Sequence, residues 1–258
     1  MRRIGVLSAS DGAGGRFVAS NLACYLAGEG RRPAVLELGK PGLYDALGMD
    51  KRFAGRTFFP QGGPPNVAAG VNWSLIPPDG EAASQASRTE SADGGTVPLQ
   101  RRERGNGETA LALPGERNGD DAMERFYERL RRIDRVEGDV VLCVLNGMAE
   151  RERNLFLRDM DVTLLVFDPL PSKLLASCEA VKLARDEEKR VAPIVNKMNG
   201  GVKKHELCAF LGVRTAPEVP LVPAEEIYRA EYACRVPYEA KAVAELLRPS
   251  FRRIMRSL

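Results

Sequence analysis

The sequence predicts an α/β fold, a mostly parallel central sheet with helices on both faces. Short apolar runs of strand length alternate along the chain with segments of helical spacing, the pattern of a parallel sheet. The run Val140-Val141-Leu142-Cys143-Val144-Leu145 is apolar without a break, as a strand covered on both faces must be. The first run leads through a glycine-rich turn, Ser10-Asp11-Gly12-Ala13-Gly14-Gly15, directly into a helical segment. At 258 residues the chain reads as one domain, 1–258, able to bury a full core.

Composition narrows the classes. Hydrophobic residues at 44% and charged residues at 28% fit a water-soluble globular chain, and a net charge of +3 is too mild to point to nucleic acid. The five cysteines (24, 143, 178, 208 and 234) show neither metal-ligand spacing nor a disulfide framework, which suits a reducing compartment. Met1-Arg2-Arg3 runs straight into a strand rather than a signal peptide. No apolar run approaches the roughly 20 residues that span a bilayer. The expectation is a cytoplasmic protein.

In chain order, Arg3 to Ser8 is the first strand. The helix after the turn carries Ala19, Leu22, Ala23, Leu26 and Ala27 on one face and ends at Gly28 and Gly30. Pro33 to Leu38 is the second strand. Residues 50–70 are rich in glycine and proline and resist assignment. Val71 to Pro77 reads as a strand ended by Pro77-Pro78-Asp79-Gly80. From about 81 to 120 large apolar residues nearly vanish, so the segment cannot offset its ordering entropy and is expected to be a disordered insertion. Arg101-Arg102-Glu103-Arg104 within it reads as solvated surface.

Asp121 to Val136 returns to helical spacing, with Met123, Phe126, Tyr127, Leu130 and Ile133 on one face and Asp120 or Asp121 as N-cap. Strands follow at Asp139–Leu145 and Asp161–Pro169. Pro171-Ser172-Lys173 opens a helix whose inner face is Leu174, Leu175, Cys178, Val181 and Ala184. Then come a strand Val191–Lys197, a helix Lys203–Leu211 closed by Gly212, a strand Pro217–Pro223 and a helix Ile227–Ala233.

At the C-terminus, 249–258 reads as an amphipathic helix, with Pro249 tolerated because it would open a new helix. Leu247, Phe251, Ile254, Met255 and Leu258 share a face, and Arg248, Arg252, Arg253 and Arg256 lie on the others. Two readings stay open. The helix docks on the sheet, or it lies on an anionic membrane surface, where each basic residue contributes about 1 kcal/mol.

A strand, a glycine-rich loop and a helix N-terminus together form a phosphate cradle, with backbone N–H groups and a positive dipole end turned inward. An ordinary turn between two elements is the other reading. His205 is the only histidine and Ser8, Ser10 and Ser20 have no general base in view, so no catalytic residue and no metal ligand is assigned.

Ser8 to Ala23 resembles the deviant Walker A loop of the MinD/ParA family, S-x-K-G-G-x-G-K-T followed by N-L-A. Asn21-Leu22-Ala23 supplies the last motif, and Gly12 and Gly14 keep their places. Ser10 stands at the family's signature lysine, Asp11 at the next glycine, Gly15 at the phosphate-gripping lysine and Arg16 at the hydroxyl that holds magnesium. A working loop needs that lysine and that hydroxyl. Glu37 and Gly39 occupy the acidic positions at the end of the second strand, which makes Glu37 either the remaining counterpart of the water-activating aspartate or a solvated strand end. Asp139–Leu145 resembles the Walker B strand, but its magnesium-linked acid falls at Val144 and its switch proline at Asn146. The second half is closer to the family. It has the P-x-S turn, Val195-Asn196-Lys197 as V-N-K, and a final turn at Pro223. The resemblance makes Asn196 a reader of the adenine base, while a turn-capping role is equally compatible with its position.

The resemblance implies a P-loop NTPase-like three-layer sandwich. It places a nucleotide against Asp11, Gly12, Ala13, Gly14, Gly15, Arg16, Phe17, Glu37, Asn196 and Pro223. The cofactor would be ATP or ADP, held weakly, with the need for magnesium left open. It also implies a localisation or assembly factor with weak or no ATP hydrolysis, similar to the TadZ/CpaE-like branch. Its partners would be proteins, including a second copy of itself, with membrane contact through the C-terminal helix and no nucleic acid. The alternative is an active ATPase, with Arg16 or Lys40 replacing the lost lysines, in cell division, chromosome partition or pilus or flagellar placement.

Overall fold

A computed structural model describes residues 1–40, 42, 43, 47, 67–74, 119–185 and 190–258, without the side chains of 119–122, 124 and 125. The expected insertion at 81–120 lies outside these residues except for its last two. So do Pro77-Pro78-Asp79-Gly80 and Arg101-Arg102-Glu103-Arg104.

The elements are β1 (Arg2–Ser8), α1 (Gly15–Gly28), β2 (Pro33–Glu37), β3 (Val67–Ala68), β4 (Val71–Ser74), α2 (Gly119–Asp134), β5 (Val140–Val144) and α3 (Glu150–Asp159). They continue with β6 (Val162–Phe167), α4 (Pro171–Ala176), α5 (Cys178–Ala184), β7 (Val191–Met198), α6 (Lys204–Leu211), β8 (Glu218–Pro220), α7 (Ala224–Tyr232), a 3-10 turn (Pro237–Glu239) and α8 (Lys241–Ser257).

The strands form one eight-stranded sheet in the order β3-β4-β2-β5-β1-β6-β7-β8. All pairings are parallel except β3 with β4, a hairpin whose two-residue turn, Ala69 and Gly70, has positive φ at both positions. The central strands are buried on both faces, and alternate residues serve opposite layers. Ile4, Val6, Val35, Leu142, Val144, Leu164 and Val166 face a core built with α1 and α8. Leu7, Leu36, Val141, Cys143, Leu165 and Phe167 face a second core built with α2, α3, α5 and α6. The three-layer α/β sandwich expected from the sequence is the architecture observed.

Helix α1 packs on the sheet beside α8 and is buried well beyond its apolar stripe. Asn21 is fully buried; its Nδ2 donates to the Phe17 carbonyl (2.7 Å) and its Oδ1 accepts the Tyr238 amide (2.8 Å). Tyr25, Tyr238 and Phe251 pack ring to ring at 5.8–6.2 Å, a spacing that favours tilted aromatic contacts.

Four expectations need correction. The C-terminal helix begins at Lys241, not at Pro249, and the proline sits inside it. Pro249 is exposed, while Leu247, Phe251 and Ile254 of the same helix are buried to 0% exposure. Burying three such side chains offsets the roughly 3 kcal/mol that a mid-helix proline costs. The face that could have entered a membrane therefore fills the core, which is the docked reading. Second, the helix opened by Pro171 breaks at Ser177, whose hydroxyl donates to the Leu174 carbonyl at 2.8 Å. Of its expected inner face only Val181 is buried, and Leu175 and Cys178 are exposed. Third, Asp120 and Asp121 lie within the first turn of α2 rather than capping it, and Met123 and Tyr127 face solvent. Fourth, α3 and β3 have no counterpart in the sequence reading.

At the amino edge of the sheet, Arg2 Nη2 donates to the carbonyl of Leu258 at 2.7 Å, joining the two ends of the described chain. Asp139 also belongs to this edge, where it pairs with Arg32 (2.8 Å) and is held below the usual carboxylate range by that hydrogen bond. Among the described residues no helix is long and apolar enough to cross a membrane.

Candidate functional site

The parallel register brings the ends of β1, β2, β5, β6 and β7 to one carboxyl edge, where ligands of open α/β sheets bind. The glycine-rich turn leaves β1 at the middle of that edge. Gly12 (φ 78°) and Gly14 (φ 92°) adopt the left-handed conformation. At Gly14 a Cβ would stand 2.2 Å from Asn196 Nδ2, so the loop's contour depends on glycine there.

Three donors from other elements hold consecutive loop carbonyls from outside. Lys173 Nζ, from α4, reaches the Asp11 carbonyl at 2.9 Å. Lys197 Nζ reaches the Gly12 carbonyl at 2.6 Å, and Asn196 Nδ2 the Ala13 carbonyl at 2.9 Å. The loop's peptides are all trans, so each held carbonyl turns the next N–H to the opposite side of the loop. The Ala13 amide spends its bond on the Ser10 carbonyl (3.1 Å). Ser10 Oγ is buried with no hydrogen-bond partner among the described residues. Glycine-dependent contour, turned amides and an orphaned hydroxyl fit a phosphate group.

Behind the loop, Ser8 Oγ accepts from the Gly15 amide (3.0 Å) and from Asn146 Nδ2 (3.1 Å), and Asn146 Oδ1 accepts the Ser8 amide (2.7 Å). Toward β7, Asp168 is nearly fully buried. Its carboxylate takes Lys197 Nζ at 2.8 Å and the Leu170 amide at 3.0 Å, and Lys197 itself has a positive φ of 59°.

Toward β2 the chemistry differs. Glu37 is 0% exposed and accepts from Arg16 Nε (3.0 Å), the Leu43 amide (3.1 Å) and the Gly42 amide (3.2 Å). Arg16 Nη2 also donates to the Lys40 carbonyl at 2.7 Å. Burial raises the Glu37 carboxyl above its ordinary value, against the opposing pull of the Leu43 amide and Arg16. Val144, at the magnesium-linked position of the resemblance, is apolar and fully buried in the α1 layer. Magnesium demands oxygen ligands in octahedral order, and these residues do not offer them. Among the described residues no group of three His, Cys, Asp or Glu could hold a metal ion.

Of the residues singled out from sequence, Asp11, Gly12, Ala13, Gly14, Gly15, Arg16 and Phe17 make the loop and the first turn of α1. Glu37 and Asn196 are brought to it from opposite sides. Glu37 is no solvated strand end. Pro223 is exposed at the start of α7, beyond β8 on the same edge. Sequence reasoning missed Ser8, Asn146, Asp168, Lys173 and Lys197 as parts of the site. The available signal was position, since each follows or ends an apolar strand or opens the next helix.

No protein-family model matches the chain, and no curated protein matches it in sequence. Solved structures do. MinD of Aquifex aeolicus in its cell-division complex with MinC superposes with a TM-score of 0.66 at 14% identity, over 99% of this chain and 96% of that one. A ParA family ATPase from Chlorobium tepidum gives 0.61 at 13%, over 97% and 95%. The septum site-determining protein MinD from Pyrococcus horikoshii, complexed with Mg-ADP, gives 0.61 at 13%, over 98% and 95%. The chain is similar to these proteins end to end in fold.

Proposed function

The fold is that of the MinD/ParA ATPases, and from that premise we propose that this chain is a P-loop protein with degenerate nucleotide motifs. It acts as a localisation or assembly factor, in division, partition or a related placement task, and hydrolyses ATP weakly or not at all. The reading treats 1–258 as one domain with 81–120 as an insertion. The observation that carries it is the Arg16–Glu37 ion pair, which stands where a hydroxyl would hold the metal, beside Gly15 in place of the phosphate-gripping lysine. Backbone amides can still hold phosphate, so a nucleotide binds without being split.

Action is then through contacts with other proteins, as the MinC complex of the Aquifex aeolicus protein illustrates for that relative. Contact with a membrane would have to use the exposed outer face of α8, with Arg252, Arg253 and Arg256, because its apolar face is filled. Titration with a fluorescent ATP analogue, beside a phosphate-release assay, tests the proposal. Binding with negligible turnover supports it. Rapid magnesium-dependent turnover, abolished by Arg16→Ala, would favour an active ATPase instead.

A further inference from the structure

The residue that stands where the resemblance expects a metal-holding hydroxyl is a tethered positive charge, Arg16. Arg16 lies in the first turn of α1, and its guanidinium donates to the Glu37 carboxylate at 3.0 Å and the Lys40 carbonyl at 2.7 Å, with Gly42 beside it. A Cβ at Gly42 would meet Arg16 Cζ at 2.7 Å, so the guanidinium packs where only glycine leaves it room. The side chain is nonetheless 35% exposed, so solvent reaches it.

A divalent ion would find the opposite of what it needs here. The hydroxyl is replaced by a cation, and the acid at the end of β5 is replaced by Val144. The carboxylate beside Arg16, Glu37, already has both oxygens engaged by Arg16, Gly42 and Leu43. A guanidinium is planar, always charged and weakly hydrated, and its geometry suits phosphate oxygens.

We infer that the site takes a nucleoside diphosphate or another pyrophosphate-bearing ligand without magnesium, with Arg16 as the resident cation that the metal supplies elsewhere. Glu37 is a positioning residue in this arrangement. It holds Arg16 in place through a buried carboxylate that is itself anchored by two amides. The inference rests on the reading above that the loop binds phosphate at all.

The test is a titration of the full chain with a fluorescent ADP analogue, and its displacement by inorganic pyrophosphate, in excess EDTA and again in magnesium. The expected dissociation constants agree within about twofold between the two conditions. Arg16→Ala leaves a buried carboxylate alone and can unfold the protein, so Arg16→Ala with Glu37→Gln is the working variant. It should weaken binding about tenfold or more in both conditions, as loss of a charge-assisted contact does. Magnesium tightening the native chain about tenfold would overturn the inference, as would native affinity in the double variant. Absence of binding in both conditions would instead overturn the phosphate reading and the inference with it.

Discussion

The two flanks of the glycine loop have been built by opposite logic. On the β6–β7 flank, Asp168, Lys173, Asn196 and Lys197 reach in from strand ends and a helix start, and three of them grip loop carbonyls. On the β2–β5 flank, Glu37, Arg16 and Asn146 grip one another or the loop's own base, and Val144 is buried in the core. In the function proposed above, one flank shapes the loop for a ligand and the other closes the space where a metal would act. Loop shape and metal chemistry are thus separable, because the first needs donors to backbone carbonyls and the second needs oxygen ligands to a cation.

The largest expected effect is on the closed flank. A Cβ at Gly39 would sit 1.9 Å from the Asn146 carbonyl oxygen, a backbone atom that also accepts the Lys40 amide. Gly39→Ala should force the ends of β2 and β5 apart and cost about 3 kcal/mol, read from the urea midpoint. Arg16→Ala follows at about 2–3 kcal/mol, below the value for a fully buried pair because Arg16 is partly exposed. Adding Glu37→Gln should recover most of that loss; no recovery would mean the pair is not what couples the two positions.

The same carboxylate gives a pH signature. Glu37 is raised above its ordinary 4.5 by burial. A raised acid binds its proton more readily in the folded chain, so it favours folding at acid pH. That contribution is lost as pH climbs from 4.5 through the raised value. The stability of the native chain minus that of Glu37→Gln should fall with rising pH in that window, and a flat difference would refute the shift.

On the shaping flank the effects are smaller and fall on binding. Lys197→Met removes the cation from a buried Asp168 and should cost about 1–2 kcal/mol while also loosening the loop at Gly12. Lys173→Ala, at a partly exposed side chain, should change the melting temperature little, with a stability loss under about 0.5 kcal/mol. It should still weaken pyrophosphate binding about threefold, through loss of a single carbonyl contact. Equal losses of stability on both flanks would erase the distinction between them.

The sheet, β3 apart, was legible because its strands are short runs of Val, Ile, Leu and Phe, and the glycine turn because glycine takes positive φ without strain. Helix α3 was not. Its sequence, Glu150 to Asp159, alternates charges, and its buried face holds Glu152 beside Phe156 and Leu157, with Glu152 paired to Arg129 of α2. Hydropathy periodicity sees a charged segment where packing sees a half-buried helix. In the site, Gly12, Gly14 and Asn196 could be found locally. Ser8 with Asn146, or Asp11 with Lys173, could not, because these partners lie 138 and 162 residues apart and meet only through the strand order. Arg16 was read as a lost hydroxyl or as a stand-in for a lost lysine, and neither reading contained its ion pair with Glu37, 21 residues away.

The hydrogen bond from Arg2 to the last carbonyl makes the polypeptide close to a ring. Residues 2 and 258 share one rim of the molecule, and the glycine turn occupies the other. A fluorophore or surface tether attached at residue 1 or 258 therefore stands at the rim opposite the loop.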